Sequence, residues 1–422
     1  MAAGSEGFIY TIPMSTSVLE PPVSTSYADE VRAREKQFLL QNYGRYPLVL
    51  ARGRGAWLYD VEGKRYLDLI SGIGVNALGH AHPRMLRVLR EQAAKLIHCS
   101  NLYYHEYQGK LAERLSQVSG LQRTFFCNSG TEAMEASIKM VRAYGRAIHP
   151  DKHEIVSLEN SFHGRTMGAL SVTGQAKYRT PFEPLLPGVK FVPFNDVAAL
   201  EAAVSERTAG ILIEPVQGEG GVYEVSDAFM RKARELADRH NALLVFDEIQ
   251  CGVGRLGTWF GYQRLNPVVM PDVMCSAKPI AAGLPLGFVI ANEKAASSIA
   301  PGMHGSTFGG SALTCRVSLE FMDILDEMLP EIQRKGEYFR TKLEALAKRH
   351  GFIKEVRVHG LMIGIELDRP GKELVIEAMK EGLLINCTHD VVLRFLPPFI
   401  ISDREIDRAV RILGRIFKRF GQ

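Results

Sequence analysis

The stretch ALLVFDEIQ, residues 242–250, is an unbroken apolar run from Ala242 to Phe246 that stops on two acids, Asp247 and Glu248, with Gln250 just beyond. Continuous apolar character without alternation predicts a strand buried on both faces, as in a parallel sheet. A second run, Val273–Ser276, leads into Ala277 and Lys278. Ligands of such sheets collect at the carboxyl ends of the strands. Asp247 and Lys278 are expected there, with Asn128 and Glu214. A carboxylate and a lysine so placed suit the two working ends of pyridoxal phosphate. The lysine forms a Schiff base with the aldehyde, and the aspartate beside the ring nitrogen keeps it protonated. An opposite charge within hydrogen-bonding distance moves a pKa by about 1–3 units toward the charged form, enough to hold a pyridinium at neutral pH.

Outward from that core, strand and helix alternate. Thr124–Cys127, Ile155–Leu158, Gly210–Ile213 and Gly287–Ile290 read as further strands, and 131–146 and 229–240 as helices, the first with Met134, Ile138 and Val141 on one face. The pattern predicts an α/β fold, a mostly parallel central sheet in a large domain covered on both sides. Upstream, Leu48–Leu50, Ala56–Asp60 and Tyr66–Leu69 read as short strands. His82-Pro83 opens a helix reaching Leu96, with Met85, Leu89 and Leu96 near one face. From Glu355 the texture becomes α+β: strands at 356–358, 362–367, 383–386 and 391–395, a helix at 372–380, and a last helix opened by the capping-box spacing Ser402…Glu405. The expected division is a flexible tail at 1–26, an N-terminal segment at 27–72 packing with the small domain, a large domain at 73–325 and a smaller α+β domain at 326–422.

A chain of 422 residues exceeds the usual size of one core, so two lobes are expected. A net charge of +4 calls for neither nucleic acid nor a membrane surface as partner. Six cysteines, at 99, 127, 251, 275, 315 and 387, are scattered singly and support neither a disulfide framework nor a zinc site. His80 and His82 lack a Cys or carboxylate at ligand spacing, so no metal is expected. No apolar stretch reaches the roughly 18–20 residues of a membrane span. The first thirty-one residues carry four acids and no Lys or Arg, unlike an import or secretory leader, and Met14 offers an alternative start. A cytoplasmic setting is expected.

Other motifs add to the site. Ser129-Gly130-Thr131, between a strand and a helix, suits either an anion such as phosphate or a plain turn. Ser161-Phe162-His163-Gly164-Arg165-Thr166 offers an aromatic face and a guanidinium that can grip a carboxylate. Glu214 and Glu219 follow a buried strand. Arg394, alone in an apolar run, either reaches solvent or is paired, and Glu219 would satisfy it.

Taken together these stretches closely resemble the class III (ornithine-type) aminotransferases, pyridoxal-phosphate enzymes of fold type I, and among them the acetylornithine subgroup. The resemblance runs from about Asn42 to the C-terminus through SGIGVNALGHAHP, LIHCSNLYYHE, FFCNSGTEA, ENSFHGRTMGALSVTGQAKY, LIEPVQGEGGV, DEIQCGVGR, AKPIAAGLPLG, HGSTFGG and LRFLPP. It implies that Lys278 carries the cofactor and Asp247 pairs with the ring nitrogen. Gln250 would lie near the ring hydroxyl and Phe162 on the ring. Gly130 and Thr131 would hold the phosphate, joined by Thr307 from the second subunit of a homodimer. Ser306 and Arg165 would contact substrate. Arg394 would take the α-carboxylate of glutamate, with Glu219 covering it when the ornithine-type donor is bound. The implied reaction is transamination of N2-acetylornithine with 2-oxoglutarate. Ornithine, 4-aminobutyrate, succinylornithine and acetyl-lysine types share the motifs. The chain departs from the family at Pro279, usually glycine, and at Met134, often asparagine.

Overall fold

A computed structural model describes residues 26–421. The expectations for residues 1–25, Met14 among them, lie outside the described residues. Among the described residues, 26–51 with 59–64 form one compact unit, and 52–58 with 65–421 form the other. In the first, Ser26 caps the helix Tyr27–Phe38 in a reciprocal capping box with Asp29. Arg32 donates to Pro47 O at 2.9 Å, and Glu35 pairs with Arg45 at 3.2 Å.

The second unit is built on a seven-stranded sheet: β1 (Arg123–Cys127), β2 (Glu154–Leu158), β3 (Val189–Val192), β4 (Thr208–Ile213), β5 (Leu243–Asp247), β6 (Val273–Ser276) and β7 (Gly287–Ala291), in the spatial order β1-β7-β6-β5-β4-β2-β3. Only β7 runs against the others in this sheet. Every residue of β2, β4, β5, β6 and β7 is buried, as their continuous apolar character requires. Helix α1 (Gly130–Ile148) buries Met134, Ile138 and Val141, the face read from the sequence. Ser129 caps it by accepting from Glu132 N.

Helix α2 (Ala312–Ala347) runs unbroken through 325/326 despite Pro330, and leads to a second sheet. Its strands β8 (Ile353–His359), β9 (Met362–Leu367), β10 (Asn386–Thr388) and β11 (Val392–Phe395) lie in the order β8-β9-β11-β10, all antiparallel. Helix α3 (Asp403–Phe420) opens with the expected capping box between Ser402 and Glu405. Among the described residues no helix is long and apolar enough to cross a membrane.

Three readings need correction. The helix opened by His82-Pro83 ends at Ala93, where Lys95 N and Leu96 N both donate to Gln92 O at 3.0 Å and the Gln92 side chain reaches forward to donate to Leu96 O at 2.8 Å, with Leu96 exposed. The single strand expected over 383–386 is two. Leu383–Leu384 pairs with the strand Arg65–Asp68, while Asn386 begins β10 in the other sheet, so the chain changes sheets at Ile385. Upstream, the strand expected at Leu48–Leu50 is instead Leu50–Arg54. Strand β3 went unread because its half-buried edge position produces no strong apolar run.

Gly145 sets how closely α1 approaches the sheet: a Cβ there would stand 2.2 Å from Lys152 O and 2.7 Å from Ala209 Cβ. In an open helix, Gly→Ala stabilises by about 1 kcal/mol. Here the clash reverses the sign, and Gly145→Ala is expected to cost about 1–3 kcal/mol as overpacking. Denaturant unfolding checks this; a raised midpoint would contradict the packing.

Candidate active site

The carboxyl ends of β1, β2, β4, β5 and β6 surround a cavity of about 460 Å³, lined among others by Gly130, Thr131, Phe162, Arg165, Asp247, Gln250 and Lys278. The sheet register brings its two poles together. Asp247 lies opposite Cys275 on the neighbouring parallel strand, and Lys278 follows three residues later.

Asp247 is buried, its carboxylate accepting from Ile249 N at 3.0 Å and lying 2.7 Å from His163 Nδ1. His163 is itself buried, with Nε2 3.4 Å from Ser157 Oγ and its main-chain N donating to Thr173 Oγ1 at 3.0 Å. The ring therefore holds Asp247 in one orientation. On β4's end, Glu214 accepts from Phe162 N at 3.0 Å and Gly218 N at 3.4 Å. Burial, reinforced by the Asp247 charge, pushes its pKa well above the usual carboxylate range.

Lys278 lies at the opposite pole, on backbone with φ of 39°, a left-handed conformation a non-glycine residue rarely adopts. Burial brings its pKa down to about 8, with Arg394 acting in the same direction and Glu219 and Asp247 opposing. A substantial share of neutral amine at physiological pH follows.

At the amino end of α1, Thr131 Oγ1 accepts from Arg165 N at 3.2 Å and Thr166 N at 3.3 Å, so the 162–166 loop lies on the helix start. A Cβ on Gly130 would meet Ile249 Cγ2 at 2.8 Å, and its absence keeps that wall of the cavity open. The helix terminus offers backbone N–H groups and the positive end of its dipole. An acid pole, an amine pole and an anion-favouring terminus around one cavity fit pyridoxal phosphate.

Arg394, on β11, is 1% exposed, and its Nη1 donates to Glu219 Oε1 at 2.6 Å and Gln250 Oε1 at 2.9 Å. Burial disfavours the Glu219 charge, yet Arg394 and Lys278 outweigh it and bring the pKa down to about 2. Gln250 lines the cavity and links it to this pair. Arg165 stands beside the cavity with its guanidinium 3.9 Å from the Tyr178 ring centroid and 5.3 Å from that of Phe162.

Of the residues singled out in the sequence, Gly130, Thr131, Phe162, Arg165, Asp247, Gln250 and Lys278 line the cavity, and Glu219 and Arg394 join it through Gln250. Ser306 is reached through Asn128, whose Nδ2 donates to its Oγ at 3.1 Å. Thr307 is exposed and does not line the cavity. Sequence reasoning gave His163 no role, although it lies between Phe162 and Arg165 in a loop already marked. Glu214 was placed at a strand end, but its grip on two main-chain N–H groups had no sequence signal.

The aminotransferase class-III family matches residues 39–417. The acetylornithine aminotransferase of Methanocaldococcus jannaschii is 46% identical over 386 residues, spanning 91% of this chain and 96% of that protein. That of Aquifex aeolicus is 47% identical over 380 residues, spanning 90% and 99%. Among solved structures, the ornithine aminotransferase of Toxoplasma gondii ME49 superposes with a TM-score of 0.89 at 30% identity, covering 94% of this chain and 96% of that one. The acetylornithine aminotransferase of Elizabethkingia anophelis does so with 0.83 at 30% identity, covering 94% and 100%. The chain therefore belongs to the class-III aminotransferases, a family of pyridoxal-phosphate-dependent enzymes with the type I fold.

Proposed function

We propose that this enzyme moves the terminal amino group of N2-acetylornithine to 2-oxoglutarate, giving N-acetylglutamate 5-semialdehyde and glutamate, a step of arginine biosynthesis in the cytoplasm. The observation that carries the reading is the Glu219–Arg394 pair beside the cavity, at 2.6 Å. One site must take a donor with a single carboxylate and an acceptor with two, so its second arginine has to be usable in one half-reaction and covered in the other. The acetylornithine aminotransferases at 46% and 47% identity support the same donor.

In this reading Lys278 carries the cofactor, Asp247 pairs with its ring nitrogen, Gln250 lies near the ring hydroxyl, Phe162 covers the ring, and Gly130 and Thr131 hold the phosphate. Bound there, pyridoxal phosphate supplies an electrophilic carbon for the amine and a ring that accepts the electron pair left when the substrate carbon loses its proton. The neutral amine of Lys278 takes that proton, its depressed pKa suiting it as a base near neutral pH. His163 keeps the Asp247 carboxylate turned to its task. Arg165 and Ser306 hold the carboxylate far from the reacting carbon. When the α-carboxylate of glutamate arrives, it replaces Glu219 on Arg394. The exchange keeps the buried guanidinium paired, since breaking such a pair costs about 3–5 kcal/mol.

The working unit in this reading is a homodimer in which the partner subunit's Thr307 completes the phosphate site. Exposed Phe308 follows Thr307, and exposed Leu102, Tyr103 and Tyr104 follow Asn101, whose Nδ2 donates to Ser306 O at 3.1 Å; large apolar side chains left bare on these segments support it by calling for cover. The division into a large domain at 73–325 and a small one at 326–422 belongs to the same reading.

Half-reactions followed with each donor test the assignment. N2-acetylornithine is expected to give a higher kcat/KM than ornithine, 4-aminobutyrate or succinylornithine. Glu219→Ala is expected to leave glutamate turnover largely intact while favouring attack by the α-amine of ornithine. A wild type that prefers ornithine would overturn the donor, and a Glu219→Ala enzyme with unchanged preferences would remove the gate.

The Lys278 environment makes a separate prediction. Only the neutral amine attacks an aldehyde, and its pKa is brought down to about 8. The rate at which cofactor-free protein takes up pyridoxal phosphate, read from visible absorbance, should rise about tenfold per pH unit up to about 8 and then level off. A rate that keeps rising past pH 10, as for an ordinary lysine at about 10.4, would contradict the effect of burial.

A further inference from the structure

Thr388 ends β10 and is buried. Its Oγ1 donates to the main-chain O of Glu219 at 2.7 Å and approaches Glu219 Oε2 at 3.3 Å. A hydroxyl has one hydrogen, so the two acceptors share it, with the carbonyl taking the shorter bond. Strand pairing fixes this hydroxyl relative to Arg394: Thr388 lies opposite Val392 and Asn386 opposite Arg394 on β11. The strand pair that presents the guanidinium thus also holds the main chain of the residue that covers it. Glu219's carboxylate has two further contacts, to Arg394 at 2.6 Å and to Gln250 Nε2 at 3.4 Å, whereas the bond to its carbonyl does not depend on where the side chain points.

We propose that Thr388 is the pivot of the Glu219 gate, a positioning residue whose hydroxyl anchors the Glu219 main chain so that the carboxylate leaves Arg394 by side-chain rotation while the loop stays in place. This rests on the gating reading above and adds the residue that sets its balance. In the covered state the hydroxyl steadies both the carbonyl and the carboxylate. In the open state its hydrogen passes wholly to the carbonyl, so no buried donor is stranded. Gln250 does the corresponding service for Arg394, its Oε1 accepting from Nη1 at 2.9 Å. Losing the pivot should weaken the covered state, which alone uses the second contact.

The test compares half-reactions of the holoenzyme with glutamate and with N-acetylornithine in Thr388→Val, Thr388→Ser and Glu219→Ala. In Thr388→Val the ratio of kcat/KM for glutamate to that for N-acetylornithine should rise about threefold, less than one full hydrogen bond because only the longer, shared arm to the carboxylate is particular to the covered state, through a lower KM for glutamate. Binding of the non-reacting dicarboxylate glutarate, measured by calorimetry, should tighten in parallel. Thr388→Ser keeps the hydroxyl and should return both values toward wild type. In a Glu219→Ala background, Thr388→Val should change neither. Thr388→Ala removes the same hydroxyl and replaces valine in each comparison if the valine protein does not fold. If Glu219→Ala shifts the ratio but loss of the hydroxyl does not, or if serine shifts it as far as valine, the pivot is overturned while the gate stands. A valine effect that persists without Glu219 places the hydroxyl's action elsewhere and overturns it too. If Glu219→Ala itself moves nothing, the gate falls and the pivot with it.

Discussion

A carboxylate buried at the end of a central strand is the constraint around which the rest of the site is arranged. Asp247 ends β5 inside the protein, bonded to Ile249 N and His163. A buried charge is costly unless it is paired and hydrogen-bonded. The ring of His163 and the main-chain N–H of Ile249 are what make this acid tolerable here, and in the proposed reading the pyridinium of the cofactor would add a cation at that point. The parallel pairing of β5 with β6 then fixes where the opposite pole stands, because Lys278 leaves β6 just beyond the residue facing Asp247. Sheet topology, together with the left-handed backbone at Lys278 just past the end of β6, sets the spacing between acid and amine.

Arg394 imposes the second condition. Its guanidinium is almost without solvent, so an anion must accompany it at every stage of a two-substrate cycle. Glu219 fills that place in the resting protein, and its strongly depressed pKa, down to about 2, keeps it ionised across the working pH range. On the proposed reading the site could then recognise one carboxylate or two without exposing an unpaired charge. In the proposed gate the rotation would be confined to one side chain, since Thr388 on β10 holds the main-chain carbonyl of Glu219.

Much of this was legible in the chain. The continuous apolar runs before Asp247 and Lys278 identified buried parallel strands, and the lone charge of Arg394 within LRF announced a partner, which Glu219 proved to be. The rest depended on contacts between distant segments. His163 is 84 residues from the aspartate it orients, and Glu214 is 52 from the main-chain N–H of Phe162 that it binds. No local pattern reports such pairs. Edge strand β3 was missed for a different reason: half-buried strands need few apolar residues. The change of sheet at Ile385 was hidden because the apolar character runs through it unbroken.

The account stands on Lys278 and Asp247 holding the two ends of one pyridoxal ring. Borohydride reduction of the purified holoenzyme, followed by peptide mapping, tests it most directly. The pyridoxyl group should be fixed on the peptide that contains Lys278 and on no other. Label on a different lysine, or none in a protein that retains its visible cofactor absorbance, would contradict the arrangement.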